Sequence, residues 1–108
     1  REKMMEDIKT TLQEAILSIN NITTCFYQQQ ENKGYKKLNE TINIIEDSIN
    51  KIVSLNIEND NINIDMHSII EVLNRAMEAM ESQDSILLAD ILQYEMVEEF
   101  QKIIDYLL

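Results

Sequence analysis

Few residues of this chain combine a reactive side chain with a spacing that could support catalysis or metal binding. His67 is the only histidine and Cys25 the only cysteine in 108 residues. Helical bundles that hold two metal ions use glutamates together with Glu-x-x-His pairs, but Ile64 stands three positions before His67. The sequence therefore excludes a di-metal centre of that type. We expect His67 to be a surface or rim residue, with Glu71 one helical turn further on.

The other candidate chemistry is also incomplete. A nucleophilic cysteine needs a histidine partner and a cationic setting, whereas His67 is remote in sequence from Cys25 and the chain is acidic, so we expect a buried, inert thiol. A single glycine cannot form a Gly-rich phosphate loop. Glutamate runs such as EMVEEF are typical of a solvated helix face. We therefore predict no catalytic, cofactor-binding or metal-binding residue, no cofactor, no small-molecule substrate, and a protein that is not an enzyme.

Composition indicates a single helical domain over residues 1–108. An apolar fraction of 44% is enough for one hydrophobic core, and the chain holds one glycine and no proline. Turn-rich β folds need both residues at their corners, so their scarcity predicts long helices joined by few turns. Cys25 has no partner for an internal disulfide, and no apolar run approaches membrane-spanning length, so we expect a cytoplasmic protein.

Acidic side chains dominate the surface charge. The net charge is −11, from 20 acidic and nine basic residues. Residues 65–108 hold ten acidic against two basic side chains, which leaves −8, whereas residues 1–64 hold ten against seven. Such a surface repels phosphate backbones and anionic headgroups, so we predict neither nucleic acid nor membrane as a partner. Solubility or a basic protein surface explains the charge.

Apolar residues recur at alternating spacings of three and four, as in helices that turn one face toward a core. The first stripe runs from Met5 to Phe26 and the second from Tyr35 to Ile52. Phe26 and Tyr35 are nine residues apart, which at about 100° per residue is half a turn off a common stripe. A turn near Glu31–Gly34 is therefore expected. The pattern predicts four helices, over about residues 2–29, 34–55, 65–81 and 85–108.

The second half of the chain follows the same rule after an Asn- and Asp-rich loop. Asp65 is expected to cap helix three, and Asp84 or Ser85 to cap helix four. We predict that three loop residues tuck under the end of the bundle, namely Ile57, Ile62 and Ile64. The predicted core stripe of helix three is Met66, Ile69, Ile70, Leu73, Ala76, Met77 and Met80. The predicted core stripe of helix four is Leu88, Leu92, Met96, Phe100, Ile103 and Leu107.

Four amphipathic helices with short connections predict an all-α, antiparallel up-down-up-down four-helix bundle. Because helices one and two are longer than helix three, a dimer in which hairpins of two chains complete the core is the main architectural alternative.

Helix four carries a second apolar line. Leu87, Ile91, Tyr94 and Glu98 follow one another at i, i+4, i+7 and i+11, about 170° from the core stripe. A helix that is apolar on both sides is either covered on both sides or exposes a binding patch. These four residues are the candidate interaction surface, with Tyr94 suited to anchor a partner.

Three candidates could cover this surface: an N-terminal region of the parent chain, a second copy of the protein, or a different protein. The first is considered because the chain begins with Arg1 while a helical pattern is already running at Met5, so we expect the N-terminus to be cut or disordered in the parent chain. A narrower interpretation is equally open, in which Tyr94 and Ile91 border a wide core and only Leu87 is exposed.

Two blocks of sequence carry a family resemblance: FYQQQENKGYKKLNETINIIEDSI and LNRAMEAMESQDSILLADILQYEMV. Together they resemble a family of small acidic helical proteins of unknown function from clostridia and bacilli, and the D-x-x-L-L-A-D-I-L-x-Y-E motif is its specific part. A weaker likeness, in the last hairpin, is to bacterial flagellin-export chaperones. That likeness implies apolar grooves that hold a helix of a flagellar subunit, and it assigns no binding residue here.

We therefore predict a non-enzymatic helical bundle that acts through protein contacts, with a protein partner or as a homo-oligomer. The alternative is a flagellar or secretion export chaperone that binds an apolar helix of its partner.

Overall fold

The four-helix bundle predicted from the sequence is confirmed by the computed structural model, which describes residues 2–108. Helix one spans Glu2–Tyr27, helix two Glu31–Glu58 and helix three His67–Glu81. Helix four covers residues 85–107 in three continuous parts, an α-helical Ser85–Asp90, a π-helical Ile91–Met96 and an α-helical Val97–Leu107. Residues 2–108 contain no β-strand.

Neighbouring helices run antiparallel, as hydrogen bonds between them show. Ser18 bonds Thr41 at 2.7 Å, and Lys51 donates to Thr11 at 2.9 Å, so residue numbers fall along helix two as they rise along helix one. The same reversal relates helix three to helix four, where Ser68 and Arg75 bond Glu99 and Glu95. Helix one packs most extensively on helix two and also contacts helix four along its length.

The predicted stripes of helices one and two form the core. In helix one the residue at each step of three or four from Ile8 to Phe26 is buried. In helix two the same holds from Leu38 to Ile52, and Leu55 continues the stripe one step beyond the prediction. The fully buried members with large side chains are Ile8, Leu12, Ile19, Ile22, Phe26, Ile45, Ile52 and Leu55. Because full burial of such a side chain stabilises a fold by about 1.5–3 kcal/mol, these stripes dominate the stability of the bundle.

The predicted stripe of helix three is partly wrong. Ile69 and Ala76 are buried as expected, but Ile70 is 40% and Met77 38% exposed, while the unpredicted Ala79 is only 2% exposed. Helix three turns a side with small residues toward helix four, because small side chains let two helices approach closely. The larger Ile and Met side chains then stand at the edge of the bundle.

The turn between helices one and two lies at residues 28–30, so the predicted turn near Glu31–Gly34 is wrong. Helix two begins at Glu31 and ends at Glu58, beyond the predicted 34–55, and Gly34 is buried inside it. The cause is that Gly34 serves close packing rather than a turn: a Cβ at this position would lie 2.6 Å from Cε1 of Phe26. The turn residue with a left-handed backbone is Gln29, at φ 62°.

The loop between helices two and three is held by one side chain. The Nδ2 of Asn56 donates to the Ile64 carbonyl at 2.8 Å, and the Ile64 N–H donates back to Oδ1 at 2.8 Å. Ile62 is buried and Ile64 half-buried, but Ile57 is 75% exposed at the end of helix two, so its predicted place under the bundle is wrong. Helix three begins at His67, whose N–H donates to Asp65.

Both short turns end a helix with the same backbone pattern. Gln30 N–H donates to Cys25 and Gln29 N–H to Phe26; likewise Asp84 N–H donates to Ala79 and Gln83 N–H to Met80. This pairing of a six-to-one and a five-to-two hydrogen bond is the Schellman motif, which normally places glycine at the left-handed position. Here the two left-handed positions are glutamines, Gln29 at φ 62° and Gln83 at φ 56°.

We therefore predict that Gln29→Gly and Gln83→Gly each stabilise the protein. A non-glycine residue in this conformation destabilises the fold by about 1–2 kcal/mol, which glycine avoids. Part of that stabilisation is offset because glycine gives the unfolded chain more conformational entropy. The free energy of unfolding, measured by urea titration, should rise by about 0.5–1 kcal/mol for each change. Gln28→Gly is the matched control, because Gln28 lies in the same turn without a positive φ and should lose stability. Equal effects of Gln29→Gly and Gln28→Gly would contradict this interpretation of the turn.

Candidate functional site

The middle of helix four is a π-helix, and the spacing of its core residues explains why. Leu88, Leu92, Met96 and Phe100 follow one another in steps of four. In an α-helix each such step drifts by about 40°, so the four side chains would spiral away from one core. A π-helical turn, with bonds from i to i+5, holds more residues and cancels the drift. All four side chains are fully buried, each with 0% exposure.

The candidate interaction surface is only partly assembled as predicted. Leu87 is 47% and Tyr94 66% exposed, and Glu98 is exposed as well. Ile91 is only 4% exposed, so its expected place on an open face is wrong, and the narrower interpretation holds for Ile91 but not for the exposed Tyr94. Ile91 lies one α-helical turn after Leu87, as the helical wheel indicates, but helix three covers it.

Instead of lying on the open face, Ile91 lines a groove between helices three and four. The groove has a volume of about 490 Å³. Helix four contributes Leu87, Asp90, Ile91 and Glu95, and helix three with its following turn contributes Arg75, Glu78, Ala79 and Ser82. The floor is therefore apolar and the rim is charged. No sequence pattern singled out this groove, because it depends on the side that helix three turns toward helix four.

A two-pronged ion pair closes one end of the groove. The Nη1 of Arg75 donates to Oε2 of Glu95 at 2.8 Å, and Nη2 donates to Oε1. Such fork-to-fork pairing fixes both side chains in one plane. The hydrogen bond from Arg75 lowers the pKa of Glu95, and the same bond raises the pKa of Arg75. Both groups therefore stay charged throughout the neutral range.

Helix one flanks the open face on its other side. The Tyr27 hydroxyl donates to Oδ1 of Asp90, and the Thr23 hydroxyl donates to Oε1 of Gln93 at 2.8 Å. Burial, followed by the bond to Asp90, raises the pKa of Tyr27, so the hydroxyl keeps its proton. Tyr27 is itself 40% exposed. Tyr27, Leu87 and Tyr94 thus form an apolar face beside the groove, and we call this face together with the groove the helix-four surface.

The residues first considered for chemistry lie apart from this surface. The side chain of His67 is 78% exposed, with Nε2 3.2 Å from Oε1 of Glu71. Cys25 is buried in helix one. Within residues 2–108, no cluster of three or more histidine, cysteine or acidic side chains is arranged to hold a metal ion. Nor is any helix in that range both long and apolar enough to cross a membrane.

Comparison with known proteins assigns this sequence to a family without assigning it an activity. The family model described as a domain of unknown function, DUF8042, matches residues 3–106, nearly the whole chain. No curated protein and no solved structure matches it. The match covers both sequence blocks and reaches both ends of the bundle.

Proposed function

Since the chain belongs to the DUF8042 family, a family of unknown function, we propose a role from its geometry: a non-enzymatic bundle that binds protein through the helix-four surface. The observation that carries the proposal is the pair of exposed anchors, Leu87 at 47% and Tyr94 at 66%, beside an apolar groove floor. Tyrosine is among the residues most enriched at the energetic centres of protein interfaces, and the cores of such interfaces are apolar.

The rigidity of the surface supports the same role. The Arg75–Glu95 pair fixes one edge, and the hydrogen bonds of Tyr27 and Thr23 fix the other. A preorganised surface loses less conformational entropy when it binds. We place the protein in the cytoplasm, since one buried cysteine without a disulfide partner suits a reducing compartment.

The double variant Leu87→Ser/Tyr94→Ser tests the proposal. Both side chains are exposed, so the free energy of unfolding should change by no more than about 0.5 kcal/mol. Self-association, followed by light scattering, or capture of a partner from the native cell should be lost. Leu17→Ser is the matched control, because Leu17 is 63% exposed on helix one and outside the helix-four surface. Retention of both association and capture by the folded double variant would refute the proposed role.

A further inference from the structure

The rim of the groove carries negative charge that the fold does not neutralise. Three carboxylates line it, from Glu78, Asp90 and Glu95, against one base, Arg75. Arg75 is already engaged by Glu95 through two hydrogen bonds. Among residues 2–108, no basic side chain forms an ion pair with Glu78 or Asp90. The apolar floor is thus bordered by two carboxylates without a basic partner.

This charge argues against a second copy as the occupant. A two-fold dimer would place this surface against the same surface of a second copy, so a rim with three carboxylates and one base that is already paired would face an identical rim. Each chain carries a net charge of −11, and residues 65–108 alone carry −8. Like charges that face each other across an interface oppose association, whereas opposite charges speed it and select the partner.

The shape of the groove indicates the form of the partner. It follows residues 75–82 on one side and 87–95 on the other, which corresponds to about 12 Å of helix. A cleft between two helices suits a third helix that inserts apolar anchors at i, i+3 or i+4, and i+7. Its apolar lining is the exposed Leu87 above Ala79 and Ile91, and Leu87 offers most of the surface on which such anchors can pack.

We propose that the groove binds a basic amphipathic helix of another protein. Aliphatic side chains of that helix lie on Leu87, Ile91 and Ala79, and its lysine or arginine side chains pair with Glu78 and Asp90. This inference rests on the proposed function and names the chemistry of its partner. It does not involve Arg75 and Glu95, which pair with each other at one end of the groove.

Synthetic peptides of about 15 residues test the proposal. One is an amphipathic helix with leucines at i, i+4 and i+7 and lysines on its flanks; the second carries glutamates in place of the lysines; the third has the lysine peptide's composition in scrambled order. Fluorescence anisotropy gives the Kd of each. We expect the lysine-flanked helix to bind at least about tenfold more tightly than either other peptide, and to weaken as salt rises.

Charge-removing variants provide the second arm of this experiment. Glu78→Gln/Asp90→Asn should weaken the lysine-flanked peptide about tenfold, while the asparagine still accepts the Tyr27 hydroxyl. Glu46→Gln/Glu58→Gln removes the same charge from exposed positions of helix two and should leave the Kd unchanged. Equal weakening by both variants, or equal binding of the scrambled peptide, would show a general field effect and overturn the inference.

The outcomes also separate this inference from the proposed function. If the glutamate-flanked helix binds as well, and Leu87→Ser/Tyr94→Ser abolishes that binding, the basic partner is wrong but the protein-binding role stands. If no peptide binds and the same variant abolishes self-association, the occupant is a second copy, which again overturns only the inference. If no peptide binds and the variant changes nothing, both fail.

Discussion

A chain that lacks Glu14 should lose the folded bundle, whereas a chain that lacks Tyr94 should keep it. Both residues are exposed and lie in the interior of a long helix. The contrast follows from the helix type at each position, because Glu14 lies in an α-helix and Tyr94 in the π-helical segment.

Removal of Glu14 rotates everything after it in helix one by about 100°. Ile19, Ile22 and Phe26, each at most 1% exposed, would then turn away from the core. Burial of each contributes about 1.5–3 kcal/mol, so the loss approaches the whole stability of a small domain, about 5–15 kcal/mol.

Removal of Tyr94 instead lets the π-helical turn relax to an α-helical one. The step from Leu92 to Met96 becomes three, so the core residues of helix four follow steps of four, three and four. That spacing keeps one face of an α-helix toward the core. We expect a loss of about 1–2 kcal/mol, from the Thr23–Gln93 and Arg75–Glu95 hydrogen bonds that the shortened segment displaces.

Circular dichroism and urea unfolding of the two deletion variants check this pair of predictions. A cooperative transition without Tyr94 and none without Glu14 is the expected result. The explanation of the π-helical segment is wrong if loss of Tyr94 unfolds the protein as fully as loss of Glu14 does.

Gly34→Ala should destabilise the protein by about 1–2 kcal/mol, although alanine is the better helix former. In an exposed helix this change would gain about 1 kcal/mol. Here the new Cβ would meet three carbons of the Phe26 ring at 2.6–2.9 Å. The ring is 1% exposed and packs edge-to-face on Tyr35 at a centroid distance of 5.0 Å, so it has little room to move. Overpacking of this kind costs about 1–3 kcal/mol and exceeds the gain.

Phe26→Leu provides the control for Gly34→Ala, because the smaller side chain frees the space above Gly34. In that background the alanine should be neutral or stabilising, by up to about 1 kcal/mol. Thermal unfolding of the unchanged chain, the two single variants and the double variant forms a double-mutant cycle, which measures the coupling between the two positions. A higher Tm for Gly34→Ala in the otherwise unchanged chain would contradict the close packing described above.

The number of helices and the core faces of helices one and two could be predicted from the sequence because the spacing of apolar residues reports them directly. From Ile8 to Phe26 each step of three or four leads to a buried side chain. The turn was predicted next to Gly34 because glycine is typical of turns. Glycine also permits two helices to pack closely, and only the position of the Phe26 ring distinguishes the two cases. The turn itself uses Gln29, a residue type with no preference for a left-handed backbone.

The candidate site was less accessible to sequence analysis, for two physical reasons. The three consecutive steps of four from Leu88 to Phe100 are a signal for the π-helical segment that the helix prediction did not use, and a helical wheel cannot show that helix three covers Ile91. The groove joins Ala79 and Arg75 of helix three to helix four, and pairing between helices has no local signature. Leu87 and Tyr94 are exposed, as expected of residues on the candidate interaction surface.

The most direct test of the protein-binding role is a footprint by nuclear magnetic resonance. Isotope-labelled protein is titrated with the lysine-flanked peptide, and the backbone amide shifts are followed along the chain. If the peptide binds to the helix-four surface, the largest amide shifts should occur at Ala79, Leu87 and Ile91. Shifts centred instead on the groove between helices one and two, at Leu17 and Ile44, or no saturable shifts at all, would contradict it.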